Sequence, residues 1–173
     1  DLEGHNIQMF KGHTNSIENV AFAPNGEYIL TGSSDRTIRR WQLNNIAVRL
    51  FEGHTGAVIA ADVAQNRQYV LTGARDNKAI LWHWSGKQKT ILDAHQQWVN
   101  AVAISPDNQK LLTGSTDRTA ILWDSDGTIV KKLTGHQAKI THVDFSSDQK
   151  YILTASDDGN IKLWNIQGKL LRT

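Results

Sequence analysis

The sequence has no cysteine, only two prolines and one methionine in 173 residues, and no unbroken apolar run near the ~20 residues a membrane-spanning helix requires. Without cysteine there are no disulfides, no cysteine-ligated zinc, no iron–sulfur cluster and no thiol nucleophile. An excess of one charge is also missing. Nineteen Lys and Arg stand against seventeen Asp and Glu, a net +2, and the basic residues are scattered. No electrostatic footprint for nucleic acid or an anionic membrane follows, so neither is expected as a partner. The chain opens on Asp1, its sole methionine is Met9, and no basic-then-apolar leader stands in front. It reads as cut from a longer product, with the cytoplasm as the expected compartment.

The feature that is present is a period. His13, His54, His95 and His136 are 41 residues apart, as are Asp35, Asp76, Asp117 and Asp158, and Trp41, Trp82, Trp123 and Trp164. Four gapless modules follow, 10–50, 51–91, 92–132 and 133–173, behind a leading segment 1–9. Within each module apolar residues alternate with period two, as in Ser16-Ile17-Glu18-Asn19-Val20-Ala21-Phe22, and turn formers such as Pro24-Asn25-Gly26 separate the runs. In the first module this predicts strands near 17–23, 28–32, 37–42 and 46–51. Connections this short between neighbouring strands imply antiparallel meanders, and helical periodicity is absent.

Gly12-His13, Gly53-His54, Ala94-His95 and Gly135-His136 each precede by 28 residues a tryptophan that closes a Thr-x-x-x-Asp-x-x-x-x-x-Trp run. Over residues 10–173 the chain therefore resembles the WD40 repeat family. Two features depart from the family pattern: Ala94 replaces a glycine, and aspartate follows the tryptophan only in Trp123-Asp124. The resemblance implies an all-β fold of four-stranded antiparallel propeller blades. The gapless spacing and phrases such as Leu163-Trp164-Asn165-Ile166-Gln167-Gly168-Lys169-Leu170-Leu171 resemble bacterial, especially cyanobacterial, arrays. The resemblance implies an array that is commonly a C-terminal sensor or regulator attached to an NTPase, kinase or protease domain.

A histidine, a hydroxyl and a carboxylate in every module invite comparison with a hydrolase triad. A structural reading explains the fourfold recurrence better, because buried polar groups between strands need partners. The indole of Trp41 donates to Thr31, that hydroxyl to His13, and the other His13 nitrogen to Asp35, which uses every donor. The resemblance implies the same network for His54, Thr72, Asp76 and Trp82, for His95, Thr113, Asp117 and Trp123, and for His136, Thr154, Asp158 and Trp164. Removing His95 is expected to strand Thr113 and Asp117. The histidines lack neighbours at metal-ligand spacing, and Gly32-Ser33-Ser34-Asp35 lacks the lysine of a phosphate loop, so no metal, nucleotide or other cofactor is expected.

With no chemistry indicated, function is expected on a surface. The resemblance implies that partners engage the face carrying the positions three and five residues after each histidine and one before each aspartate. These are Ser16, Glu18 and Ser34; Ala57, Ile59 and Arg75; Trp98, Asn100 and Thr116; and Lys139, Thr141 and Asp157. Trp98 is exceptional, because its counterparts are Ser16, Ala57 and Lys139 and blade packing asks for no aromatic there. It is either a binding anchor or a ring that covers the adjoining blade. Arg75 is the next candidate, and Trp84 is expected to pack near the outer edge.

Propellers as a class run from about four to eight blades, and WD40 rings hold about seven or eight, so four blades make half a ring. Asn6-Ile7-Gln8-Met9-Phe10 resembles a fourth strand, yet Gly168 to Thr173 already supplies one to the last blade. Two outcomes stand: a segment of a longer array, or a homodimer of eight blades. The expected function is a non-catalytic scaffold for a protein or peptide. The alternatives are a purely structural or engineered fragment and, last, an enzyme or nucleic-acid binder.

Overall fold

Alternating side chains become half-buried strands, and the computed structural model, which describes residues 8–44 and 47–173, carries sixteen of them. The first sheet holds β1 (Ile17–Phe22), β2 (Tyr28–Ser33), β3 (Ile38–Gln42) and β4 (Val48–Phe51). The second holds β5 (Val58–Val63), β6 (Tyr69–Ala74), β7 (Ala79–His83) and β8 (Gln88–Leu92). In the third are β9 (Val99–Ile104), β10 (Lys110–Ser115), β11 (Ala120–Asp124) and β12 (Ile129–Leu133). The fourth comprises β13 (Ile140–Phe145), β14 (Tyr151–Ser156), β15 (Ile161–Asn165) and β16 (Leu170–Arg172). Each sheet is an antiparallel meander in chain order, and no helix occurs among the described residues.

Strand limits follow the local turn chemistry. The first strand stops at Phe22 because Ala23 opens a turn, its carbonyl accepting the Gly26 N–H at 2.9 Å. The second hairpin turns on a left-handed residue just after the repeating aspartate, Arg36 at φ 70°, Asn77 at 69° and Arg118 at 70°. Such residues are costly in that region unless the turn is held, and here Asp35 holds it by accepting the Thr37 N–H at 3.0 Å and the Thr37 hydroxyl at 2.6 Å. The expected start of the fourth strand at 46 lies outside the described residues, and β4 begins at Val48. Residues 1–7 of the expected N-terminal strand segment are likewise outside them. Phe10 is in no strand, and its ring packs 5.5 Å from that of Trp41, as Phe51 packs 5.9 Å from Trp82 in the next blade.

The core is the set of layers between successive blades. Leu30, Ile38 and Phe51 of the first blade pack against Val58, Val70, Ile80 and Trp82 of the second. The same positions recur in the second layer, where Leu71, Ala79 and Leu92 meet Val99, Leu111 and Trp123, and in the third, where Leu112, Ala120 and Leu133 meet Ile140, Ile152 and Trp164. Glycine sets the closest approach: a Cβ on Gly32, Gly73 or Gly114 would fall 2.9, 2.8 or 2.5 Å from the following blade's Val58, Val99 or Ile140. Arg40 adds a polar tie by lying 4.9 Å over Tyr28 and 4.7 Å over Trp84 while donating to the Trp84 carbonyl at 2.6 Å. Trp84 packs against the first layer at a right angle to Tyr28.

The end blades each keep one face uncovered. Ile17, Val20 and Phe22 of β1 are exposed, whereas Val58, Val99 and Ile140, the counterparts of Ile17, are buried. On the fourth blade Leu153 and Ile161 are exposed, although their counterparts Leu30 and Ile38 are fully buried.

Candidate functional site

The loop before each blade carries the histidine, the second strand the threonine, the second hairpin the aspartate and the third strand the tryptophan. Folding brings the four together in every module. His13 Nε2 lies 2.6 Å from Thr31 Oγ1 and its Nδ1 2.7 Å from Asp35 Oδ2, while the Trp41 indole donates to Thr31 at 2.8 Å. For His54 with Thr72, Asp76 and Trp82 all three distances are 2.8 Å. His95 lies 2.8 Å from both Thr113 and Asp117, and Trp123 donates to Thr113 at 2.9 Å. His136 lies 2.9 Å from Thr154 and 2.8 Å from Asp158, and Trp164 donates to Thr154 at 3.0 Å.

Each group is spent inside the fold. Thr72, Thr113 and Thr154 are fully buried, and each hydroxyl oxygen already receives an indole N–H and faces an imidazole nitrogen. In these three modules a nucleophile in that position has no approach for a substrate carbonyl, so the arrangement there organises structure. The aspartates are held by further donors: Asp117 accepts the N–H groups of Gln96 and Thr119, each at 3.0 Å, and the Thr119 hydroxyl at 2.6 Å. Burial pushes the Asp76 carboxyl up, but the His54 hydrogen bond and charge and the N–H groups of Thr55 and Lys78 outweigh it and hold it at about 2. Asp35 and Asp117 are lowered against the same opposing pull of burial, and Asp158 is lowered first by the Gln137 N–H.

A fifth member of the network escaped the sequence reading. Ser33, Ser115 and Ser156 accept the N–H of Asp35, Asp117 and Asp158 at 3.1, 3.0 and 3.2 Å, and donate back to Ser16, Gln97 and Ala138 carbonyls at 2.8, 3.0 and 3.0 Å. The 41-residue spacing carries the signal, but Ala74 interrupts it in the second module. No group of three or more His, Asp or Glu side chains with metal-binding geometry occurs among the described residues. Among the described residues no helix is long and apolar enough to cross a membrane.

Within each module two of the surface positions are neighbours, because the N–H of Ser34, Arg75, Thr116 and Asp157 donates to the carbonyl of Ser16, Ala57, Trp98 and Lys139 at 2.9 to 3.1 Å. Trp98 is 47% exposed, and the Arg75 guanidinium of the preceding blade lies 4.9 Å over its ring. Beside them Asn77, Gln96, Gln97 and Thr116 line a depression of about 390 Å³. Asn100 turns inward, donating to Thr116 at 2.9 Å and to the Ile140 carbonyl of the next blade at 3.1 Å. The remaining candidates lie apart from this depression: Ser34 donates to Glu18, Lys139 pairs with Asp157 at 3.2 Å, and Ile59 lines a separate hollow with Thr141. The structure thus gathers Trp98, Arg75 and Thr116 but not Glu18, Ile59, Lys139 or Asp157.

Known proteins match the chain repeat by repeat. The family described as WD domain, G-beta repeat matches residues 4–42, 46–83, 86–124 and 127–165. The ribosome biogenesis protein BOP1 homolog of Aedes aegypti is 44% identical over 36 residues, 21% of this chain and 4% of that protein. Nuclear distribution protein PAC1 of Candida tropicalis is 39% identical over 44 residues, 25% of this chain and 9% of that one. WD repeat-containing protein srw1 of Schizosaccharomyces pombe is 46% identical over 37 residues, 21% and 7% of the two chains. Each match thus spans less than a tenth of the curated relative. The solved structure of U3-55K superposes with a TM-score of 0.87 at 22% identity, over 95% of this chain and 53% of that one, which establishes a shared propeller fold. By its four matched repeats, its sixteen strands and its superposition on half of a propeller, this chain belongs to the WD40 family.

Proposed function

We propose that this chain is a non-catalytic interaction module that holds a protein or peptide on the rim carrying Trp98, as the sensing or regulatory part of a larger protein. WD40 repeat proteins are typical protein-interaction scaffolds. The observation that carries the rim assignment is Trp98 itself, half exposed with the Arg75 guanidinium laid over its ring beside a depression. An aromatic ring of this kind supplies a large apolar contact at small entropic cost, and its cation leaves a fork of N–H donors facing out. We also propose that two copies of the chain pair into one ring, since each end blade presents an apolar face that its counterparts inside the chain bury.

A random-peptide display selection on the purified chain tests the rim. Peptides enriched by the native protein should lose at least about tenfold in affinity for Trp98→Ala, with the melting temperature unchanged. Selection of nothing, or of peptides indifferent to Trp98→Ala and Arg75→Ala, refutes the assignment.

A further inference from the structure

One position at the end of the first strand of each module alternates in kind: Ala21, Asp62, Ala103, Asp144. Asp62 bridges a joint. Its Oδ1 accepts the N–H of its neighbour Val63 at 2.8 Å, and its Oδ2 accepts the N–H of Ile104, on the first strand of the following blade, at 2.7 Å. Ile104 lies on β9, the edge strand of its sheet, so this backbone donor has no strand partner on that side. The carboxylate therefore straps the second blade to the third with a charge-assisted hydrogen bond.

Asp144 repeats half of this arrangement. Its Oδ1 accepts the Phe145 N–H at 2.8 Å, as Asp62 does from Val63, but its Oδ2 has no hydrogen-bond partner among the described residues. Among the described residues no blade follows the fourth to supply the second donor. Two modules before Ile104, the residue answering to it is Phe22, at the end of the edge strand β1 and 68% exposed. The apolar surroundings match in the same way. The uncovered Leu153 and Ile161 answer to Leu30 and Ile38, which bury against a following blade, and the uncovered Ile17 answers to Val58, which receives them.

We infer that the open face of the fourth blade docks the first blade of a second copy of this chain, with Asp144 accepting the N–H of Phe22 of the partner subunit. Twofold symmetry makes the contact twice and removes both apolar faces. The alternation of alanine and aspartate then runs unbroken around the ring. This inference rests on the paired-ring reading and supplies its polar register. One feature distinguishes this joint from those inside the chain: Ala155 stands where Gly32, Gly73 and Gly114 allow closest approach. The joint between copies therefore sits wider and is the weakest of the ring.

Sedimentation of the 173-residue chain over a concentration series, with amide exchange at Phe22, tests this. The expected mass is twice 19.3 kDa, with slow Phe22 exchange in the dimer. Asp144→Ala, which copies the alanine native to two modules and so preserves the fold, should weaken pairing at least about tenfold and release the Phe22 amide. Ala155→Gly should tighten pairing. A folded monomer at high concentration overturns both the strap and the paired ring. A dimer whose affinity and Phe22 exchange ignore Asp144→Ala overturns the strap alone.

Discussion

Replacing Thr113 by valine keeps the shape of a fully buried side chain and removes only its hydroxyl. That oxygen receives the Trp123 indole N–H at 2.9 Å and sits 2.8 Å from His95 Nε2, so valine leaves two buried polar atoms without a partner at once. Each such group costs about 1–3 kcal/mol, which makes the expected loss about 2–6 kcal/mol. For a chain of this length 1 kcal/mol moves the midpoint by about 2–4 °C, so melting should fall by roughly 5–20 °C. Thr113→Ser is the control, because it keeps the hydroxyl and gives up one buried methyl worth about 1 kcal/mol. Urea melts of the two variants at one protein concentration separate the terms. Equal stability of the valine and serine variants would refute the network as a source of stability. His95→Ala is a less clean perturbation than the sequence suggests, since Asp117 keeps the Gln96 and Thr119 donors when the imidazole is gone.

How far the sequence carried depends on which residues face the same physical demand in every blade. His, Thr, Asp and Trp recur because every blade must satisfy the same buried donors, and a period of 41 makes that demand visible without any structure. The alternating apolar residues show the same for the layers between blades. What depends on contact between unlike residues stayed hidden. Arg40 lies between Tyr28 of its own blade and Trp84 of the next, and no spacing in the chain announces that meeting. Equivalence of position also left the bonds of the surface candidates hidden: Lys139 and Asp157 are each other's ion pair, and Asn100 ties two blades together. Asp62 was passed over because only alternate modules carry an acid there, and a search for identity in all four cannot register a feature of twice the period.

Two further outcomes follow from the packing and the charges. Gly114→Ala places a methyl 2.5 Å from the Ile140 Cγ2 and 2.8 Å from the Val143 Cγ1 across the joint between the third and fourth blades. It should cost about 1–3 kcal/mol by overpacking, read as a lower urea midpoint with an unchanged slope. Acid should weaken the fold in a defined window. The Asp76 carboxyl is held at about 2 in the folded chain against about 3.9 when unfolded, so the unfolded state binds the proton first as pH falls. Its contribution is complete above about pH 4 and is lost progressively toward about pH 2, with Asp35, Asp117 and Asp158 adding in the same direction. Urea melts between pH 7 and pH 2 should be level down to about pH 4 and decline below it, and Asp76→Asn should be less stable at neutrality and show a shallower decline. Stability that stayed constant through that window would mean the aspartates are no better bound in the folded chain than in water, and the hydrogen-bonded network would lose its claim to organise the blades.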